Sequence, residues 1–249
     1  MENIIKTIED LSLNAWPSYQ MELYDGWILR FSHFYTHRTN SVEQFGTSTL
    51  AWRDKVPYCE AAYQRWGTPT IFKISPLVSR DFDYVLENRN YMIQHTTNVM
   101  TLNLNEANLL EYTDMVSMSY TIDSTWIDRL LIFNGTTNEM HKKIVPMMYN
   151  AIPKDTICVS IKDTYGTIIA TGLGILDRDY VGVYAIRVQQ EYRKRGMARA
   201  ICSCILNEAK RKGISKAYLQ VVAGNDPAYA LYQSLGFKSL YTYWFRVSQ

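Results

Sequence analysis

A short basic segment in the second half of the chain has the residue types that bind a diphosphate. It reads RKRGMA and covers residues 193–198. Arginine side chains present forked N–H donors that match phosphate oxygens. Gly196 carries no Cβ, so a ligand can approach the backbone there closely. An ordinary solvated basic loop is the alternative, and the surrounding elements decide between the two.

The basic segment lies between a predicted strand and a predicted helix. Residues 181–188 (VGVYAIRV) are β-branched and aromatic, which is typical of a strand. Apolar residues then recur at helical spacing from Ala198 to Arg211, and Gly213 is the expected helix stop. Unpaired N–H groups and the positive end of the helix dipole meet at a helix N-terminus. This position favours an anion site around Gly196.

The flanking segments predict a mixed sheet. Residues 156–161 and 167–176 should form an antiparallel meander with residues 181–188. Residues 215–222 follow the helix, so we expect them to run parallel to residues 181–188 through a βαβ crossover.

A second helix and a last strand complete the predicted order. Asp226 is a candidate N-cap, Pro227 fits the first helical position and Gly236 fits the C-terminal stop. Residues 238–247 predict the closing strand.

With these elements in place, the chain resembles the GCN5-related N-acetyltransferase (GNAT) family. The acetyl-CoA loop of that family, Gln/Arg-x-x-Gly-x-Gly/Ala, is filled by Arg193, Gly196 and Ala198. A downstream family pattern, Asn-x-x-Ala-x-x-Leu-Tyr-x-x-x-Gly-Phe, begins about 29 residues further on. Its positions are filled by Asn225, Ala228, Leu231, Tyr232, Gly236 and Phe237.

The resemblance covers about residues 110–249 and implies a fold and a site. The implied fold is α/β, with the central mixed, mostly antiparallel GNAT sheet flanked by helices. Tyr232 would lie near the thioester sulfur and act as general acid on the departing thiolate. The residues implied to bind acetyl-CoA are Ile186, Arg187, Val188, Arg193, Lys194, Arg195, Gly196, Met197, Ala198, Asn225 and Ala228.

The implied activity is transfer of an acetyl group from acetyl-CoA to a primary amine. A phenol can donate a proton to the leaving sulfur, and a backbone N–H of the splayed strand can polarise the carbonyl. Many family members carry a glutamate base near the strand that ends at Val188, but this strand has no carboxylate; only Asp177, Asp179 and Glu191 flank it. Water, another tyrosine or a residue of the other half remain as bases. A protein that binds or senses acyl-CoA with little turnover is the alternative function.

The first half of the chain resembles a degenerate copy of the second. When the chain is shifted by 146 residues, Gly67 meets Gly213 and Asn90 meets Gly236, with the same predicted order of elements. The copy has TSTLAW where the second half has RKRGMA, and Leu86 where the second half has Tyr232. We therefore expect no acetyl-CoA at the first copy. The predicted domains are residues 1–108, a partial GNAT-like repeat, and residues 109–249, the acetyltransferase domain.

Two further segments are ambiguous. The segment YDGWILRFSHFYTHRTNSV is expected to open the first half as a hairpin-like pair, and its polar residues His33, His37 and Arg38 either face solvent or hold an acceptor. Residues 105–153 predict mainly helix, and their methionine and aromatic side chains form either ordinary core or a wall of an acceptor pocket.

Composition limits the remaining possibilities. The chain has 249 residues, 47% apolar and 20% charged, with a net charge of +2, so a nucleic-acid partner is not expected. No stretch is long enough to span a bilayer, and the first residues do not resemble a signal peptide. The four cysteines predict buried thiols in the reducing cytoplasm, and no spacing of Cys, His or Asp predicts a metal. The expected partner is a small-molecule or peptide amine, and a homodimer is left open.

Overall fold

Eleven strands form one mixed sheet in the part of the chain that the structure describes. The structure is a computed structural model, and it describes residues 2–110 and 115–249. The strands, in chain order, are β1 (Gln20–Tyr24), β2 (Trp27–Phe31), β3 (Val42–Gln44), β4 (Ile71–Ile74), β5 (Met92–Asn103), β6 (Val116–Ser119), β7 (Asp155–Lys162), β8 (Ile168–Asp177), β9 (Tyr180–Val188), β10 (Lys216–Val222) and β11 (Lys238–Val247). Their order across the sheet is β1-β2-β3-β4-β11-β5-β10-β9-β8-β7-β6.

Seven α-helices accompany the sheet in the described residues. They are α1 (Glu2–Ala15), α2 (Trp52–Arg65), α3 (Arg80–Asn88), α4 (Ser124–Phe133), α5 (Glu139–Asn150), α6 (Met197–Arg211) and α7 (Asp226–Ser234). Short 3₁₀ turns occur at His37–Thr39, Leu104–Glu106 and Gln190–Tyr192. A sheet with helices packed on it confirms the predicted α/β class.

The predicted pairings around the basic segment are confirmed. Strands β7, β8 and β9 form the antiparallel meander, and β10 runs parallel to β9. Helix α6 joins β9 to β10 and buries the apolar stripe that the sequence indicates, including Ile201, Ile205 and Leu206. Ser203 on this helix is also buried, and its hydroxyl accepts the backbone N–H of Leu110 at 3.1 Å.

The N-cap prediction for α7 was wrong by one residue. Asn225, not Asp226, is the N-cap, and its side chain accepts the backbone N–H of Ala228 at 3.4 Å. Asp226 is the first helical residue, so its carboxylate lies in the first turn, where the helix dipole favours negative charge.

The elements of the two halves coincide at the 146-residue shift. Shifting α3 (Arg80–Asn88) by this interval gives the bounds of α7, and the start of β5 likewise meets the start of β11. Asn90 and Gly236 both follow their helices with positive φ, at 63° and 101°. Asparagine and glycine are the residues that adopt this conformation at least cost, which explains the match.

The two halves exchange their last strands. Strand β5 of the first half pairs with β10 of the second, and β11 of the second half pairs with β4 of the first. The exchanged strands β5 and β11 also pair with each other along most of their length. The sheet therefore runs without interruption from one half into the other.

Two elements were not predicted from the sequence. Helix α1 buries Ile5, Ile8 and Leu11 against aromatic side chains of the central strands. Strand β6 lies at the sheet edge beside β7, within the stretch 105–153 that we predicted to be mainly helical. The predicted helices of that stretch are present as α4 and α5, and its residues 111–114 lie outside the described ranges.

Candidate active site

Strands β9 and β10 separate at their C-terminal ends and open a groove. Their ladder ends at the pair Val183 and Leu219, although β9 continues to Val188 and β10 to Val222. A bulge interrupts β9 just beyond this point. Tyr184 pairs with Leu173 of β8 and Arg187 pairs with Thr171, so β9 has one residue more than β8 between these two pairs. Ala185 lies in the bulge with φ of 52°. Backbone groups of β9 beyond Val183 are thus freed from pairing with β10.

A row of unpaired backbone amides lies at the end of this groove. The loop after β9 turns through Lys194 and Gly196, with φ of 61° and 77°, into the first turn of α6. In the described residues, none of the amides of residues 194–199 donates a hydrogen bond. A Cβ added at Gly196 would meet no atom within 4 Å, so the space beside its Cα is open. Free N–H groups at the positive end of a helix dipole are suited to bind an anion.

A cavity of about 840 Å³ joins this amide row to α7 and to the first half of the chain. Its volume suits a large ligand. With one exception, every residue predicted to bind acetyl-CoA lines the cavity. The exception is Arg195, which is exposed and holds its guanidinium over the ring of Tyr192 at 5.4 Å.

Tyr232 lines the same cavity from α7. Its ring is buried and meets the ring of Phe237 edge-on, at 6.0 Å between centroids. No described group forms a hydrogen bond with its hydroxyl. Burial raises the pKa of Tyr232 well above its usual value, because a phenolate would lose its hydration there. The hydroxyl therefore keeps its proton at neutral pH.

The first half and the middle segment supply the opposite wall. Trp16 and Tyr35 come from the first half, and Leu130 and Tyr149 from α4 and α5. Sequence reasoning did not single out these four, because each belongs to a helix end, a loop or an apolar stripe that core packing would also explain. The methionines of the middle segment do not line the cavity in the described structure.

Of the three polar residues His33, His37 and Arg38, only Arg38 lines the cavity. The ring of His37 instead contacts the ring of His95 at 4.4 Å and bonds to Gln94. Burial lowers the pKa of His37 to about 4, so this ring is neutral near pH 7.

The equivalent anion site in the first half is filled by its own carboxylate. At the 146-residue shift, Thr49 and Leu50 match Arg195 and Gly196, and both of their amides donate to Asp25, at 2.9–3.1 Å and 3.0 Å. Asp25 comes from the turn between β1 and β2, and the fully buried Lys55 lies 3.1 Å from it. The pKa of Asp25 is lowered by the two backbone hydrogen bonds, so this group is an anion near pH 7.

The cavity offers phenols and cations but no obvious base. Among the described residues that line it, none is aspartate or glutamate. Asp177 and Asp179, which flank β9 in the sequence, bind Lys154 and Ser215 instead. Within residues 2–110 and 115–249, no group of three or more His, Cys, Asp or Glu side chains is arranged to hold a metal ion.

Comparison with known proteins identifies the family that this geometry indicates. A family model described as "Probable histone acetyltransferase Rv0428c C-terminal" matches residues 3–245. The chain belongs to this family of GNAT N-acetyltransferases and is an acyltransferase.

Individual relatives agree with this assignment. The chain is 27% identical over 252 residues to the uncharacterized N-acetyltransferase YobR of Bacillus subtilis, covering 98% of this chain and 99% of that one. A GCN5-related N-acetyltransferase from Kribbella flavida has a similar fold, with a TM-score of 0.69, 14% identity and coverage of 98% and 94% of the two chains. A tandem GNAT protein from the clavulanic acid biosynthesis pathway superposes with a TM-score of 0.63 and 11% identity, over 83% of this chain and 74% of that one. The fold therefore includes the predicted tandem repeat.

No described helix combines the length and the apolar character that crossing a bilayer requires.

Proposed function

We propose that the protein transfers the acetyl group of acetyl-CoA to a primary amine by direct attack at its second GNAT repeat. The observation that carries this proposal is the continuity of one cavity from the amides of residues 194–199, along the freed edge of β9, to the hydroxyl of Tyr232. The diphosphate, the pantetheine arm and the thioester of acetyl-CoA need these three environments in this order.

Different residues of the chain bind different parts of acetyl-CoA. The amide row and Arg193 hold the diphosphate, and Nε of Arg193 donates to the carbonyl of Val188 at 3.2 Å, which keeps this arginine beside the groove. The backbone of Ile186 and Val188 pairs with the amide groups of the pantetheine arm, as a missing strand would. Asn225 and Ala228 line the groove from the start of α7.

The chemical step requires little more than orientation and one proton. The amine nitrogen attacks the thioester carbonyl, a C–N bond forms, and the C–S bond breaks as the sulfur takes the proton of Tyr232. The proton released by the amine passes to water and returns to the phenolate. Because no described cavity residue is a carboxylate, this proposal has the amine reach the site already neutral.

The absence of a carboxylate among the described lining residues also favours a second candidate, an acyl-CoA-binding sensor with little turnover. Two measurements separate the candidates. Saturating acetyl-CoA should raise the melting temperature whether the protein is a transferase or a sensor, because it binds the native state. Release of free CoA thiol in the presence of an amine panel should occur only if the protein is an enzyme.

Each outcome has a definite meaning. A melting temperature unchanged by saturating acetyl-CoA would remove both candidates. Stabilisation without thiol release from any amine in the panel would favour the sensor over the transferase.

A further inference from the structure

Part of the cavity wall comes from outside the second GNAT repeat. It includes Arg38 and the aromatic residues Trp16, Tyr35 and Tyr149. These residues belong to the first half or to α5, so they are separate from the residues predicted to hold acetyl-CoA. An acceptor that meets the thioester at Tyr232 would contact this wall.

Arg38 is held in place by neutral partners. Its Nε donates to the Tyr243 hydroxyl at 2.9 Å, and this hydroxyl donates to Oε1 of Gln220 at 2.8 Å. Gln220 follows Leu219, the last residue of β10 that pairs with β9. The guanidinium therefore lies beside the closed end of the groove, where the acyl end of the ligand must arrive.

The terminal nitrogens of Arg38 have no partner in the described residues. No described carboxylate lies within 4.0 Å of this side chain. An arginine keeps its charge at any physiological pH, and its two terminal N–H groups form a fork that fits a carboxylate. A fixed guanidinium that is partly withdrawn from water and lacks a counter-ion is suited to bind an anionic group of a ligand.

The backbone around Arg38 is fixed as firmly as its side chain. The buried Arg30 donates to the carbonyl of Arg38 at 2.5 Å and also to the carbonyl of Trp16. The buried side chain of Asn40 accepts the amides of Ser32 and Phe34 and donates to the carbonyl of Thr36. This loop is thus ordered without a ligand, as a specific binding wall should be.

We infer that the acceptor carries a carboxylate as well as its amine, and that Arg38 binds this carboxylate. The inference rests on the proposed function and narrows it to zwitterionic acceptors of the amino-acid type. Trp16, Tyr35 and Tyr149 line the same cavity, so the side chain of the acceptor is apolar or aromatic.

The same electrostatics disfavour polycations. Arg38 and Arg187 both line the cavity, and no aspartate or glutamate among the described residues lines it to compensate. A polyamine or a lysine-rich peptide would bring further positive charge against them without a counter-ion.

The test is a thiol-release assay with matched acceptors. L-phenylalanine, L-phenylalaninamide and 2-phenylethylamine share one aromatic group and one amine, but only the first has a carboxylate. L-leucine and 3-methylbutylamine form a second matched pair, and spermidine represents the polycations. We expect kcat/KM to be about tenfold or more higher for the amino acid of each pair.

Substitution of Arg38 supplies the second half of the test. In Arg38→Met, kcat/KM for the amino acid should fall to the value of its decarboxylated partner, mainly through a higher KM. The control Arg178→Met removes an exposed arginine that pairs with Asp10 away from the cavity, and should keep the preference of the unmodified protein.

Several results would overturn the inference while leaving the proposed function intact. They are equal rates within each pair, a preference for spermidine, and an equal loss of kcat with both members of a pair in Arg38→Met. The last result would mean that Arg38 acts on the thioester rather than on the acceptor. If acetyl-CoA stabilises the protein but no amine releases thiol, the proposed function itself fails, and the inference fails with it.

Discussion

At the scale of single residues, the account depends on the proton of Tyr232. The phenol lies in the cavity, forms no hydrogen bond with any described group and has a pKa raised by burial. Its proton is therefore retained at neutral pH, and we propose that it moves to the leaving sulfur. The neighbouring Tyr229 differs, because its hydroxyl is bonded to Oγ of Ser239 at 2.9 Å.

This contrast provides a matched pair of variants. Tyr232→Phe should lower kcat by about 10²-fold, the lower end of the range for general acid catalysis, with acetyl-CoA affinity near that of the unmodified protein. Tyr229→Phe, on the same helix, should leave both values unchanged. Steady-state kinetics and calorimetric titration with acetyl-CoA measure the two quantities. Equal kcat in Tyr232→Phe and the unmodified protein would show that Tyr232 is not the general acid.

At the scale of elements, the proposed binding of acetyl-CoA depends on the start of α6. Gly196 has φ of 77°, so an alanine there would strain the backbone and disturb the amides of the neighbouring residues. Gly166, in the turn between β7 and β8, has φ of 81° and likewise no atom within 4 Å of an added Cβ. The two glycines have similar backbones, but only Gly196 lines the cavity.

Alanine at either glycine should therefore cost similar stability but differ in binding. We expect each variant to lose about 1–2 kcal/mol of unfolding free energy. Only Gly196→Ala should weaken acetyl-CoA binding, by about tenfold or more, as measured by calorimetry. Equal affinities in the two variants would mean that the start of α6 does not hold the ligand.

The start of α2 gives a pH-dependent prediction at the same scale. Folding lowers the pKa of Asp25 below its usual 3.8. The carboxylate of Asp25 therefore stabilises the fold fully above about pH 4, and this stabilisation is lost as the pH falls toward the lower pKa of the folded state. Asp25→Asn should lower the melting temperature at pH 7, and the difference from the unmodified protein should shrink below about pH 4. Asp128→Asn, at an exposed position on α4, is the control. A difference that grows on acidification would contradict the assigned role of Asp25.

The sequence predicted most of this region because its signals are local. Turn residues, helical spacing and the two GNAT-like patterns lie within a few residues of the elements that they specify, and α6, α7 and β7–β11 follow them. Helix α1 was missed because its apolar stripe is short and lies in a polar segment. The cap of α7 was misplaced because asparagine and aspartate are adjacent and both cap well. Arg38 could be noted only as an alternative, since its partner Tyr243 is 205 residues away.

At the scale of the whole molecule, the exchange of β5 and β11 determines how the halves depend on each other. The 146-residue shift could predict the repeat but not this exchange, because pairing partners between distant strands leave no local signal. Residues 92–103 lie between β10 and β11, although they belong to the first half of the sequence. The boundary near residue 108 stays a prediction about the repeat.

This topology predicts that the halves fold only together. A fragment of residues 109–249 lacks β5, so β10 and β11 would each lose a neighbour and expose an unpaired edge. We expect this fragment and residues 1–108 each to show no cooperative melting transition, and an equimolar mixture to regain one. Circular dichroism melting curves measure this. Cooperative melting of either fragment alone would show that strand exchange is dispensable for its stability.

The central claim is that the amides of residues 194–199 hold the diphosphate of acetyl-CoA while Tyr232 faces its sulfur. A crystal structure of the complex with acetyl-CoA tests this most directly. The account predicts diphosphate oxygens within about 3.2 Å of these amide nitrogens and the Tyr232 hydroxyl within about 3.5 Å of the sulfur. A ligand bound elsewhere, or a sulfur far from Tyr232, would contradict it.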